Sequence, residues 1–486
     1  MNLQVPVIEE KAPQSYDCEA FISAPEKIRT PDTTVRSRML YPAELLTHTT
    51  VFQLKDFLNS AKTIIYDKAK IVNSFLKKIK KLQFAERVHI MESMNTLPIY
   101  RETVIEVDLD RIAENVKQIR AMAGKDVKIA AVVKANGYGH GAVGIAPAIM
   151  DNGGDLLCVA TLLEAMELKE AYPEYPVLIM GLTAEEYFPY VLDYGILQTI
   201  DTLEQAQALS ELAKKQGKTA GVHIKYDTGF HRLGFPDTNE SLDAIEEISR
   251  MEGIRIEGMF SHLVLLDDAS NKKQYEDFCR AIQALKDRGV EIPCCHLADS
   301  IASVDYPEYR MDMIRAGAII YGLKGFHKGH LDIRQALTFK TRINHITEVK
   351  AGEGVSYDFM WRAERDTRIG TLPFGYADGY PRNLRGKGMV TIHGKQVPVV
   401  GVLCMDQCMV DLGDVPEAAV GDEVIIYGDG TGNTLDIQAV SVLAETNKND
   451  IVSRLTQRPA RIYKKDGNIT EIKTMMGRKQ YEPDRT

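Results

Sequence analysis

Between residues 127 and 320, short apolar runs return at regular intervals. No other feature constrains the fold of this chain as much. The runs fall at 127–133, 156–160, 177–180, 196–200, 222–226, 256–260, 294–297 and 314–320. They are rich in β-branched and other apolar residues, as strands buried on both faces require. Helix-like stretches such as Leu203–Lys215 and 271–288 lie between them. Eight strands alternating with helices predict an α/β chain with a (β/α)8 TIM-like barrel. An open doubly wound sheet is the rival, but no Gly-x-Gly-x-x-Gly turn follows an early strand.

Both flanks read differently. Residues 103–107 are strand-like, and Asp108 caps a helix carrying Ile112, Val116, Ile119 and Ala123 on one side. From about Leu337 the helical period fades. Strands separated by glycine turns are expected at Val349, 369–371, 389–392, 397–402, 409–412 and 423–427, giving a C-terminal all-β domain. The first forty residues are polar with scattered prolines and read as loop or disorder. Over 50–94 the pattern turns helical, with Ile65, Ala69, Val72, Leu76 and Ile79 on one side and Lys77, Lys78, Lys80 and Lys81 crowding the end. Such a basic helix docks on a membrane surface or a partner, or it packs on its own protein with a solvated lysine face. The expected division is a mainly helical N-terminal extension (1–98), a strand lent to the β domain (99–111), the barrel (112–338), the β domain (339–475) and a polar tail (476–486).

A chain of 486 residues is too long for one core. Its net charge of -9 disfavours nucleic acid as a general partner. No apolar run approaches the roughly 18 residues of a membrane span, and the N-terminus lacks the pattern of a signal peptide. Seven cysteines, an odd number, include adjacent Cys294 and Cys295 and a Cys404/Cys408 spacing that matches no zinc pattern. Reduced thiols in a cytoplasmic protein without a metal are the expectation.

The chemistry concentrates in VVKANGYGHG, residues 132–141. Lys134 ends the first apolar run, where desolvation disfavours its ammonium form and makes it a good Schiff-base amine. Gly137, Gly139 and Gly141 would let the backbone approach a ligand closely. In a barrel the reactive groups sit at the carboxyl ends of strands, with phosphate held after strands seven and eight. Ala298-Asp299-Ser300 follows the seventh run, offering a hydroxyl and N–H groups at a helix start. Arg315-Ala316-Gly317 lies in the eighth.

The 132–141 stretch resembles, nearly letter for letter, the pyridoxal-phosphate lysine motif of the alanine racemase family. The resemblance continues at intervals to about residue 465. It implies a cofactor, pyridoxal 5'-phosphate, on Lys134, with Tyr138, Ser300, Gly317 and Ala318 at its phosphate. It also implies that the strand at 103–107 pairs with the β domain. Arg315 aligns with the family's arginine facing the pyridine nitrogen. It cannot accept a proton, and so suits a reaction that lifts and returns one proton. A related decarboxylase class places a carboxylate there. His262 matches the histidine against the ring, and Arg232 the arginine on the ring oxygen and substrate. The family usually has a small residue where His231 stands. Lys225 matches a lysine carbamylated in some relatives.

Racemisation needs proton-transfer groups on opposite faces of a planar carbanion. The resemblance implies Lys134 for one face and Tyr357, in GEGVSYDFMW, for the other. In the family this tyrosine enters from a second subunit, so a homodimer with shared active sites is implied. Met405 and Asp406 match the segment meeting the substrate carboxylate, and Tyr376 a residue at the entrance. Asn449 stands where alanine racemases carry an active-site tyrosine. An amide there makes the pocket roomier and more polar, or is merely tolerated. The expected activity is therefore racemisation of alanine into a D-amino acid of the cell-wall-precursor kind. Serine, lysine or ornithine are alternative substrates. A pyridoxal-phosphate carrier protein and an amino-acid decarboxylase are the other readings, the first lacking a β domain and the second disfavoured by Arg315.

Overall fold

The structure, a computed structural model, describes residues 99–480. The extension expected to be mainly helical lies outside the described residues. β1 (Val104–Asp108) leads into the helix Leu109–Ala123, whose start is capped by Asp108 Oδ1 accepting the Arg111 N–H at 3.0 Å. That helix buries Ile112, Val116, Ile119 and Ala123, the stripe its sequence spacing predicts.

All eight apolar runs form strands: β2 (Lys128–Val132), β3 (Leu156–Val159), β4 (Val177–Ile179), β5 (Leu197–Ile200), β6 (Ala220–Lys225), β7 (Ile254–Phe260), β8 (Cys295–His296) and β9 (Met313–Ala316). They pair in parallel in the order β8-β7-β6-β5-β4-β3-β2-β9. Asp312 N–H to Cys295 O (3.1 Å) and Arg315 N–H to Ala298 O (2.9 Å) tie β9 back to β8 and complete the barrel. Because strand side chains alternate, one set (Ala130, Val132, Leu156, Cys158, Leu178, Cys294 and Met313) packs together as a small cluster inside. The other set meets the surrounding helices in the main core. The eighth strand is shorter than its apolar run suggests. Gly317 breaks it (φ −116°, ψ −97°), and Ala318–Tyr321 coil into a 3-10 turn.

The rest of the chain builds β10 (Leu337–Arg342), β11 (His345–Val349), β12 (Gly354–Val355), β13 (Trp361–Arg362), β14 (Thr367–Leu372), β15 (Met389–Ile392), β16 (Lys395–Val400), β17 (Cys408–Asp411), β18 (Glu423–Tyr427), β19 (Ala460–Lys465), β20 (Asn468–Thr474) and β21 (Gly477–Gln480). All but β12 and β13 join β1 in one sheet, in which β1 lies antiparallel to β10 and parallel to β19. Glu106 on β1 bridges both neighbours, 2.8 Å from Lys340 Nζ and 2.9 Å from Lys464 Nζ. Two short helices, Ile437–Leu443 and Lys448–Ser453, interrupt what reads as a purely β region. Residues 477–480, read from sequence as polar tail, form the edge strand β21, and Glu471 holds Arg478 with two bonds of 2.6 Å.

The last segment of the sheet packs directly on the lysine motif. A Cβ on Gly141, whose φ is +94°, would overlap the Tyr463 hydroxyl, and Tyr463 is 1% exposed and has no room to swing away. We expect Gly141→Ala to lose roughly 2–4 kcal/mol of stability in urea unfolding, combining left-handed strain with overpacking. A loss below about 0.5 kcal/mol, the scale of ordinary surface changes, would contradict this packing.

Candidate active site

β2 delivers Lys134 to the carboxyl end of the barrel, and the backbone then turns the wrong way. Ala135 (φ 53°, ψ 50°), Asn136 (φ 54°, ψ 49°) and Gly137 (φ 61°, ψ 45°) are left-handed, as are Tyr138 (φ 51°) and Gly139 (φ 77°). Gly137 N–H to Val133 O (2.7 Å) and Gly139 N–H to Ala135 O (3.1 Å) close a short left-handed helical turn. For each non-glycine residue this costs about 1–2 kcal/mol, so surrounding contacts must hold the turn. Glu164 Oε1 accepts the Ala135 N–H at 2.6 Å, and Asn136 Oδ1 accepts the Ala142 N–H at 3.1 Å. Arg461 on β19 donates from Nε (3.2 Å) and Nη2 (3.1 Å) to Gly139 O.

The three glycines therefore do a different job from the one their spacing suggests. Gly137 continues the turn, while Gly139 and Gly141 admit Val452 O and Tyr463 from the C-terminal segment. They serve packing between elements rather than close approach to a ligand.

A cleft of about 370 Å³ opens over this turn. Lys134, Tyr138, Lys225, Arg232, His262, Ser300, Arg315, Gly317, Ala318 and Asn449 all line it. Ser300 Oγ accepts the Gly317 N–H at 2.8 Å, and a Cβ on Gly317 would stand 2.9 Å from the Tyr138 hydroxyl. Two hydroxyls and a glycine N–H thus converge. The lining cations are Lys134, Lys225, Arg232 and Arg315. Asp299, the acid among them, has its carboxylate occupied by the N–H groups of Ile301 and Ala302. Such a cleft attracts an anion. Burial first, then the charges of Arg232 and Arg315, lowers the proton affinity of Lys134. Lys225 Nζ donates to Tyr226 O at 2.8 Å, and burial followed by Arg315 pushes it down to about 8. Arg232 lies 4.4 Å from the Phe230 ring centre. The unusual His231 is accommodated at φ 56°, its N–H and ring both meeting Asp227.

Arg315, 5% exposed, organises the floor. Nη1 donates to His296 Nδ1 (3.0 Å) and His296 O (3.1 Å). Nη2 donates to Ser261 O (2.8 Å), Leu297 O (2.8 Å) and His262 Nδ1 (3.2 Å). A guanidinium has no acceptor. Both Nδ1 atoms therefore accept, and the ring protons of His296 and His262 sit on Nε2. His296 Nε2–H then donates to His223 Nδ1 at 3.0 Å, which imposes the same tautomer on His223. All three rings are neutral. Burial, reinforced by Arg315, pushes His262 down to about 3 and His296 well below its ordinary value. Burial followed by Lys128 and Arg315 takes His223 to about 4. These bonds leave the Nε–H of Arg315 free of any acceptor among the described residues.

Four sequence-derived site residues lie elsewhere, in the β domain. Tyr357 is 64% exposed on a loop where Ser356 (φ 67°), Asp358 (φ 59°) and Phe359 (φ 45°) are left-handed. Ser356 Oγ donates to Val402 O (2.7 Å), joining this loop to the 402–406 segment. Tyr376 N–H donates to Cys404 O (3.3 Å) and Ala377 N–H to Met405 O (3.0 Å), an approach that only Gly375 permits. Asp406 pairs with Arg458 at 2.7 Å. Tyr357, Tyr376, Met405 and Asp406 do not line the cleft of their own chain.

Comparison with known proteins fits this arrangement. Residues 107–325 match the family description "Alanine racemase, N-terminal domain", and residues 336–463 match "Alanine racemase, C-terminal domain". The chain belongs to the alanine racemase family. It is 38% identical over 375 residues to the alanine racemase of Clostridium tetani, covering 76% of this chain and 97% of that protein. The Methanococcus maripaludis alanine racemase is 36% identical over 364 residues, 74% of this chain and 97% of that one. Among solved structures, the Clostridium difficile 630 alanine racemase superposes with a TM-score of 0.74 at 33% identity, covering 77% of this chain and 98% of that one. The Bacillus anthracis alanine racemase with bound L-Ala-P gives 0.74 at 29%, covering 78% and 99%. The protein is an amino-acid racemase.

Several residues that shape this racemase cleft are missed by sequence reasoning. Glu164 had a visible signal, the Thr161-x-x-Glu164 capping box. Arg461, His223 and His296 had none, because their partners are distant in sequence. The buried neutral histidines predict a pH response. Unfolded, each binds a proton near 6.5; folded, His140 and His223 do so only at about 4 and His262 at about 3. Their stabilising share is full above 6.5 and is lost as the pH falls toward those folded values. Each contributes a slope of about 1.4 kcal/mol per pH unit in between. Urea midpoints should fall steadily from pH 7 to pH 5. A flat profile there would refute the neutral assignment.

Proposed function

We propose that the protein interconverts L- and D-alanine with pyridoxal 5'-phosphate held in the barrel cleft, and that a second copy of the chain completes the site. What carries this reading is one amine, Lys134, placed among cations beside a cluster of anion donors and the arginine-ordered floor. The donor set suits the cofactor. The hydroxyls of Tyr138 and Ser300 with the N–H groups of Gly317 and Ala318 would hold its phosphate. Arg232 would meet the ring oxygen, neutral His262 the ring, and the Nε–H of Arg315 the pyridine nitrogen. The cleft volume lies within the roughly 300–1,000 Å³ of small-ligand pockets.

When bound, this cofactor supplies an aldehyde that joins the substrate's amine and a conjugated ring that draws electrons from Cα. The chain's residues do the rest. Lys134, its ammonium disfavoured by burial and neighbouring positive charge, takes and returns the Cα proton on one face. Arg315 cannot accept a proton, so beside a bound cofactor's ring nitrogen it would disfavour protonation there and weaken electron withdrawal. That favours moving one proton over losing a carboxylate. Tyr357 of a second copy serves the opposite face, with Met405 and Asp406 toward the substrate carboxylate and Tyr376 at the entrance.

The exposed apolar surface supports a dimer. Leu182, Val264 and Leu266 stand exposed on loops following β4 and β7, the carboxyl rim of the barrel, and Tyr357, Phe359, Met360 and Met405 stand exposed on the β domain. Two such faces bury each other when two copies meet head to tail.

Deuterated water tests the reaction class. Incubation with L-alanine should give exchange at Cα and loss of optical rotation. Release of carbon dioxide would identify a decarboxylase, and a yellow but inert protein a carrier. Lys134→Ala should abolish the visible absorbance of bound cofactor. Tyr357→Phe should retain it and lose about 10²–10⁴-fold in kcat, the usual worth of a proton-transfer group; full activity would remove Tyr357 from the mechanism.

Asn449 lines the cleft from the helix Lys448–Ser453 and widens the proposed substrate range toward serine and longer side chains. Asn449→Tyr should shift the kcat/KM ratio toward alanine over serine, lysine and ornithine by about 10-fold or more, the scale of one pocket contact. Equal dominance of alanine in both proteins would show that Asn449 does not set the range.

A further inference from the structure

Beside the lysine turn lies a histidine to which neither the barrel floor nor the proton transfers give a task. His140 is completely buried, and its Nδ1 stands 2.8 Å from Tyr138 O and 3.1 Å from Gly137 O. Carbonyl oxygens only accept, so Nδ1 carries the ring proton. This is the opposite tautomer from the three histidines ordered by Arg315. Nε2 is left with a lone pair, buried and without a partner among the described residues. An orphaned buried acceptor is unfavourable. Its presence at this position calls for a role for the opposite edge of the ring.

That edge and the ring's face grip the turn. His140 packs on Tyr321 with ring centres 4.5 Å apart, and Tyr321 stacks on Tyr138 at 4.8 Å. The Tyr321 hydroxyl donates to Val132 O at 2.9 Å, two residues before the lysine. The stack therefore holds the backbone on both sides of Lys134. On the far side, the Tyr138 hydroxyl abuts Gly317, whose N–H sits on Ser300. The amine has its own supports, since Tyr321 fixes the strand before it and Glu164 binds the Ala135 N–H after it.

We propose that His140 is a positioning residue for the anion-binding part of the cleft: its Nδ1–H holds the Gly137 and Tyr138 carbonyls in the left-handed turn that sets the Tyr138 hydroxyl against Gly317 and Ser300. The proposal rests on the pyridoxal-phosphate reading and makes a narrower claim. Removing the His140 donor loosens the grip on the phosphate and leaves the lysine in place. Asparagine, whose side-chain N–H₂ can stand near the Nδ1 position, restores the grip. Leucine fills similar space without a donor.

The test uses full-length protein freed of cofactor, titrated with pyridoxal 5'-phosphate and, separately, with pyridoxal, which lacks the phosphate. His140→Leu should weaken the phosphorylated form about tenfold or more, the equivalent of one lost hydrogen bond of about 1.4 kcal/mol. Pyridoxal binding should stay within about twofold on the same scale, and His140→Asn should recover most of the loss. Equal weakening of both ligands, or no weakening of either, would overturn the proposal. Should the leucine variant fail to fold, ¹⁵N resonances of wild-type histidines decide, with His140 assigned by its disappearance in His140→Asn. A neutral Nδ1–H ring is expected, and an Nε2–H ring would refute the bond. Failure of the wild-type protein to take up pyridoxal 5'-phosphate would instead refute the cofactor reading, and the tautomer measurement stands apart from that result.

Discussion

The site depends on keeping one short stretch of backbone in a conformation that L-residues avoid. At Ala135, Asn136 and Tyr138 the left-handed angles are sterically unfavourable, and the local hydrogen bonds alone do not offset them. The turn persists because contacts from several directions over-determine it. Arg461 is the most telling of them. Its guanidinium, 2% exposed, gives every hydrogen bond to backbone carbonyls: Gly139, Leu455, Thr456 and Pro459. One side chain from the sheet thus holds the lysine turn together with the chain that leaves the helix bearing Asn449. Barrel and β domain act as one mechanical unit where the chemistry is placed.

Arg315 imposes a second kind of order. A group that can only donate propagates its direction through every ring it touches, and two hydrogen bonds reach His223 deep in the barrel. The cost is a set of buried histidines that take protons in the folded chain only well below their ordinary range. The benefit is a cation whose terminal N–H groups are all committed to protein acceptors, leaving its Nε–H for whatever enters the cleft. Charge and direction are thus set before any ligand arrives, which is what preorganisation means in electrostatic terms.

The barrel was legible because its strands are short apolar runs separated by helical ones, a pattern carried by neighbouring residues. Lys134, Ser300 and Arg315 could be placed by counting strands, since each lies in or just after a strand at the carboxyl end of the barrel. What escaped was everything decided across the fold. Gly139 and Gly141 read as ligand-facing because nothing local reveals Val452 or Tyr463 opposite them. The run at 314–320 looked like one strand, yet Gly317 turns it into a 3-10 coil at the point where an N–H is needed. β21 carries no hydrophobic alternation at all; it pairs with β20 through backbone register, and the Arg478–Glu471 contact adds to that pairing. Tyr357 was readable as a candidate, but its distance from the cleft of its own chain is a property of the folded chain.

The placement of β1 has a consequence for how such a molecule is made. Its neighbours in the sheet, β10 and β19, emerge from the ribosome only after the entire barrel has been synthesised. The barrel is an insertion whose entrance and exit lie side by side, with Val107 opposite Leu337. Until β10 and β19 have been made, β1, carrying the half-buried Glu106, has an unpaired edge on either side. The lysine turn acquires its last support when β19 arrives. The lysine turn therefore lacks its Arg461 clamp until β19 is made, and a nascent chain halted before residue 460 would be without that clamp.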